Sequence, residues 1–199
     1  MHISEGILSA PVLATGVLLA TVGVAAGLKK MTYENIPRVA VLSSAFFVAS
    51  LIQIPLGPAS VHLVMNGLLG VLMGWMAFPA ILVALALQAL LFQFGGLTTL
   101  GVNLVVMAGP ALLAYLLCRP LLKMKGRQYI ALAGFGAGMI GSMGAVALLV
   151  LALTRSSDSF TSFAWAISAA NAPVIIMEGV ITMFCLVFLQ RVKPELLET

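Results

Sequence analysis

Apolar runs long enough to cross a bilayer constrain this chain more than any other feature. A transmembrane helix needs about 20 predominantly apolar residues. Seven candidates follow one another: about Ile7 to Leu28, Val39 to Ile54, Val61 to Met76, Phe78 to Phe94, Val102 to Leu122, Tyr129 to Leu153 and Ala166 to Gln190. The third is short, and it follows a Gly/Pro interruption, Leu56-Gly57-Pro58-Ala59-Ser60. Pro173 favours a first helical turn and would start the seventh late. Hydrophobic residues make up 62% of the chain and charged residues 8%, against roughly 45–50% and about 25% in a soluble domain. The expected fold is an all-α integral membrane protein. It is a single domain over residues 1–199 with about seven transmembrane helices.

Lysine and arginine set the expected orientation. One face receives Lys29, Lys30, Arg38, Arg119, Lys123, Lys125, Arg127, Arg191 and Lys193, and the other only Arg155. That bias places the C-terminus in the cytoplasm, and an odd number of spans then places the N-terminus outside. The expected location is the cell (inner) membrane, crossed several times. The net charge of +4 is no nucleic-acid signal, because the basic residues cluster at segment ends. The N-terminus lacks the basic region of a secretory signal and carries Glu5. Cys118 and Cys185 sit far apart in apolar runs and read as small core residues. The glycine-rich run Gly134–Gly144 suits close helix packing, or a face for a partner subunit. Of the eleven methionines, those scattered through the helices read as core or lipid-facing filler; Met1 is the exception, for its amine rather than its sulfur.

The chemistry lies in the two histidines. His2 stands second in the chain, so the free α-amine of Met1, the amide nitrogen of His2 and its imidazole Nδ1 can close two chelate rings on one cation. Displacing the amide proton takes a strong Lewis acid late in the divalent series, and planar nitrogen geometry suits Ni²⁺ and Cu²⁺. The plain alternative is a frayed terminal residue. His62 follows the Gly/Pro break on the same expected face, where it reads either as an interfacial residue or as a fourth nitrogen donor. Asn66, four residues on, would share its face on a helix. Glu5 suits hydrogen bonding to a ligand imidazole, or an acid at a helix start. Gln53 and Gln93 fall near the outer ends. Gln88, Asn103, Asn171 and Glu178 fall within or near spans, where polar groups face the bundle interior and pair. Glu178, the one acid well inside a span, reads as a hydrogen-bond anchor or as a metal ligand. No Walker A motif, HExxH or GxSxG is present, so neither ATP hydrolysis nor familiar hydrolase chemistry is expected of this chain.

Three stretches carry a resemblance to a known family. They are Met1-His2-Ile3-Ser4-Glu5-Gly6, then Val61-His62-Leu63 with Asn66-Gly67, and then Gln88-Ala89-Leu90-Leu91-Phe92 followed by Gly95-Gly96-Leu97-Thr98-Thr99-Leu100-Gly101-Val102-Asn103. With them the chain resembles, over essentially its whole length, the substrate-binding S components of nickel and cobalt energy-coupling-factor transporters, the CbiM and NikM type. The resemblance implies a metal held by the Met1 amine, the His2 amide and imidazole, and the His62 imidazole. It also implies that the Gly95–Asn103 loop, with Gly95, Gly96, Thr98 and Asn103, lies over or beside the site. The implied role is capture of Co²⁺ or Ni²⁺ at the outer face, as transported substrate. A membrane coupling (T) subunit and cytoplasmic ATPase subunits would drive uptake, in some systems with a small accessory membrane protein. Neither an enzyme activity nor an organic cofactor is implied. The residues around His62 depart from the family pattern and leave nickel against cobalt open. The rivals are a stand-alone secondary transporter or channel for divalent metal ions, and a membrane enzyme or scaffold in which the histidines are incidental.

Overall fold

The computed structural model describes residues 3–51, 53–56, 59–124 and 126–197, with backbone alone for 53–56, 59–62 and 162–165. Within them each apolar run contributes one helix: α1 Ala10–Lys29, α2 Ile36–Leu51, α3 Asn66–Met73, α4 Ala77–Phe92, α5 Leu100–Leu122, α6 Arg127–Ser156 and α7 Thr161–Val192. Among the described residues there is one pair of strands. Two strands, β1 Gln53–Leu56 and β2 Ala59–His62, pair antiparallel with Gln53 opposite His62. Of the Gly/Pro break in the sequence, Leu56 ends β1 and Ala59 and Ser60 begin β2. Among the described residues five stretches are long and apolar enough to cross a membrane, counting Asn66–Phe92 as one, while α2 has 16 residues.

The expected third span, Val61 to Met76, is not one helix. Its first residues belong to β2, and Met65 takes a left-handed φ of 49°. Only the eight residues of α3 are helical, a rise of about 12 Å. Hydropathy runs unbroken through all of this, so the sequence hides the break. α3 descends beside α5 in the same direction: Asn66 bonds to Met107, Gly70 lies on Ala111 and Gly74 on Tyr115. Gly74, at φ 56°, then turns the chain back; a positive φ is cheap for glycine and costly for other residues. α4 climbs from there parallel to α2, with Ser43 bonded to the Ala80 carbonyl and the Gln88 amide to Ser50.

α3 is buried at all eight positions, and glycine is what lets it in. A Cβ on Gly67 would stand 2.1 Å from the Ala137 carbonyl oxygen of α6, and one on Gly70 1.9 Å from that of Ala111 in α5. The glycine run of α6 serves the same purpose. Gly134 and Gly138 rest on the backbone of α7 at Met183 and Glu178, and Gly141 rests on Gly67 and Asn66. These glycines pack inside the bundle, where lipid supplies no hydrophobic drive and close approach must do so. α7 begins at Thr161 and continues through Pro173, so the expectation of a late start is corrected. Spanning helices tolerate an interior proline because neighbours and local adjustment satisfy the freed backbone groups. Cys118 and Cys185 are free thiols.

These directions sort the charges. Lys29, Lys30, Arg38, Arg119, Lys123, Arg127, Arg191 and Lys193 fall at the end where α1 finishes. There Arg38 donates to the carbonyls of Leu72 (2.6 Å) and Leu196 (2.8 Å), tying α2 to the end of α3 and to the C-terminal turn. Arg155 stands alone at the opposite end, one residue from Ser156, whose hydroxyl accepts the Ser9 N–H at 3.1 Å.

Candidate metal site

Met1 and His2 lie outside the described residues. The residue that follows them does not. Ile3 is 3% exposed, in one buried cluster with Leu8, Val102, Val106, Ala145 and Leu149. The chain therefore turns inward from Ser9 and packs its start against α5 and α6. A buried peptide group must be paired, and both polar groups of Ile3 are. Its N–H donates to Asn103 Oδ1 at 2.9 Å. Its carbonyl accepts from Thr99 Oγ1 at 2.8 Å and from Asn103 Nδ2 at 3.1 Å. Asn103 Nδ2 is also within 3.2 Å of Thr99 Oγ1. One amide side chain thus acts as donor and acceptor to the same residue, as a neighbouring strand would.

Glu5 completes this contact from the rim. Its Oε1 accepts the Thr98 N–H at 3.2 Å, and its side chain lies where a Cβ on Gly96 would be, 2.0 Å from Glu5 Cγ. The helix-start reading of Glu5 is corrected: α1 opens at Ala10 and has no acid in its first turn. Gly95 has a φ of 80° and lets the chain leave α4 toward Glu5 after Gln93, itself left-handed at 57°. So the loop between α4 and α5 holds residues 3–5 through Gly96, Thr98, Thr99 and Asn103. Thr99 was the member that sequence reasoning did not single out. Its signal was present in the same Gly95–Asn103 motif, as a hydroxyl four residues before an asparagine.

The second histidine arrives from the hairpin. His62 ends β2, and its side chain lies outside the described atoms. Because it is strand, the expected common helical face with Asn66 does not exist. Asn66 opens α3 instead, fully buried, and its Nδ2 donates to the carbonyls of Met107 and Gly141, each at 3.1 Å. It clamps α3 between α5 and α6. Met107 stands four residues after Asn103 on α5, about 6 Å along the helix axis. The segment after His2 and the segment after His62 are therefore pinned one helical turn apart on α5. Glu178 is an anchor: both of its carboxylate oxygens accept the Met65 N–H, at 3.1 and 3.0 Å, and Oε1 also accepts the Val64 N–H. Among the described residues no three His, Cys, Asp or Glu side chains gather.

The chain is similar to known proteins over nearly its whole length. Residues 2–196 match the family model described as the cobalt uptake substrate-specific transmembrane region, CbiM. A Haemophilus influenzae protein named for metal transport is 42% identical, across 99% of this chain and 97% of that one. The cobalt transport protein CbiM of Sorangium cellulosum is 31% identical, across 100% of this chain and 95% of its own length. A solved transition metal transporter superposes with a TM-score of 0.71 at 24% identity, over 96% of this chain and 93% of that one, which establishes a shared fold.

Proposed function

The chain belongs to the CbiM family of cobalt uptake substrate-specific transmembrane regions, and we propose that it is the metal-capturing membrane component of an energy-coupling-factor importer. The ion is Co²⁺ or Ni²⁺. Its donors are the free α-amine of Met1, the deprotonated amide and imidazole of His2, and the imidazole of His62. The observation that carries this reading is the double anchorage on α5. Asn103 and Thr99 grip the peptide group that follows His2, and Asn66 pins to Met107, one turn on, the helix that follows His62. Nitrogen donors each at about 2.0–2.1 Å from one metal ion need chain segments held close together, and two segments fixed one helical turn apart on α5 are. Glu5, Gly95, Gly96 and Thr98 hold the terminal segment in place from its outer side, and Asn66 acts through the helix it clamps.

Selectivity follows from the donor set. Mg²⁺ and Ca²⁺ demand oxygen ligands, whereas an ionised amide and two imidazoles favour late transition ions. The end rich in lysine and arginine faces the cytoplasm in this reading, with the chain passing between the two faces seven times, once by way of the hairpin and the short α3. Met1 and Arg155 then face the outside, where the ion arrives. A membrane coupling subunit and cytoplasmic ATPases supply the drive. Two measurements test the proposal. Affinity for Ni²⁺ and Co²⁺ is expected to collapse in both His2→Ala and His62→Ala, and unchanged affinity in either removes that histidine from the site. Uptake into cells is expected to require the ATPase partners; equal uptake by this chain alone would instead mark a stand-alone transporter.

A further inference from the structure

Glu178 has work that its burial alone does not explain. It is fully buried on α7, and its carboxylate faces the one place where the hairpin becomes α3. The start of α3 leaves N–H groups without intrahelical partners. Among the described residues, no side chain of its N-cap, Met65, caps it. The backbone there is also held in an uncommon state, since Met65 is a non-glycine residue at φ 49°, a conformation that costs energy unless its surroundings enforce it. Both oxygens of Glu178 meet that N–H, and one also takes the N–H of Val64. Charge-assisted bonds of this kind are the strong ones, and a negative charge at a helix N-terminus is favoured.

Only Leu63 separates Val64 from His62. Two residues span at most about 7 Å, so a fixed Val64 leaves the strand end little freedom. Among the described elements the hairpin pairs with itself and touches α2. The junction at Val64 and Met65 therefore bears directly on where β2 ends. We propose that Glu178 is a positioning residue for metal binding, which reaches the ion through His62 by locking the backbone at Val64 and Met65. This rests on the reading of His62 as a ligand and adds a residue of α7 to the site's support. It also makes α7 a participant, although no donor lies on it.

A double-mutant comparison tests it in detergent-solubilised protein with a native N-terminus. Glu178→Gln keeps the shape but removes the charge, and Co²⁺ or Ni²⁺ affinity is expected to fall on the order of 10- to 100-fold, as for outer supports of metal ligands. The visible spectrum of the Ni²⁺ complex should shift to that of His62→Ala, with three terminal nitrogens retained. In a His62→Ala background the same change should cost nothing further, because residues that act through one another are not additive. An equal loss in both backgrounds, with His62→Ala itself impaired, overturns the positioning role and leaves the proposed function standing. Normal affinity in His62→Ala defeats the underlying reading, whatever Glu178→Gln does. Should Glu178→Gln fail to fold, Met65→Val disturbs the same junction without touching the carboxylate, because a β-branched residue resists the positive φ held there. It is expected to lose affinity only while His62 is present, and a loss without His62 overturns the proposal.

Discussion

Replacing Asn103 with alanine should release the start of the chain while sparing the bundle. The side chain makes two bonds to Ile3, one to its N–H at 2.9 Å and one to its carbonyl at 3.1 Å. After substitution the carbonyl still has Thr99 Oγ1 at 2.8 Å. The N–H has nothing, and at 3% exposure water does not reach it. An orphaned buried donor costs about 1–3 kcal/mol, so the docked arrangement of residues 3–5 loses that much relative to a released one. Apparent affinity falls by the factor by which the docked population falls. With about 1.4 kcal/mol per tenfold, Ni²⁺ or Co²⁺ binding should weaken by up to about 5- to 150-fold. Thr99→Val removes one bond to a carbonyl that keeps Asn103. It should cost about 0.5–1.5 kcal/mol, or up to roughly 2- to 10-fold. Isothermal titration of both variants, beside thermal unfolding, gives the two quantities separately. Undiminished affinity in Asn103→Ala, or a larger loss in Thr99→Val, would refute the clamp as the support of the terminal donors.

Two further outcomes follow from the same structure. Gly67→Ala and Gly70→Ala place a methyl group within 2.1 and 1.9 Å of backbone oxygens, and each should destabilise the bundle by about 1–3 kcal/mol or more. Gly109→Ala, whose nearest neighbour is Leu148 Cδ1 at 3.6 Å, should leave melting unchanged or raise it. Metal affinity should fall as pH drops, because the ligands bind deprotonated. A binding constant that stays flat as pH is lowered would exclude these donors.

Rationed polarity made much of the site legible. In lipid a polar side chain is expensive, so Asn103 and Glu178 stood out as residues that must pair, and each does; Asn66, read from the sequence only as a neighbour of His62, pairs as well. Their partners were not legible. Asn103 holds Ile3, 100 positions away, and Glu178 holds Met65, 113 away. Those bonds run to backbone atoms, which carry no residue-specific mark. The helices were legible as apolar runs, but hydropathy measures composition and not direction. It joined the strand at Val61–His62 to α3, and it passed over the left-handed turn at Met65 and the reversal at Gly74. Pro173 misled for a related reason: its preference for a first turn is local, and packing of α7 against α6 outweighs it.

The central claim is that the chain's own first nitrogen holds the ion. The direct measurement is Ni²⁺ and Co²⁺ affinity of the native protein against one carrying a single extra residue before Met1. The extension converts the α-amine into an amide and moves the amine out of the chelate ring. Tight binding should be lost while the thermal unfolding of the bundle stays unchanged. Equal affinity in the two proteins would contradict the account, because the Met1 nitrogen would then not be a ligand.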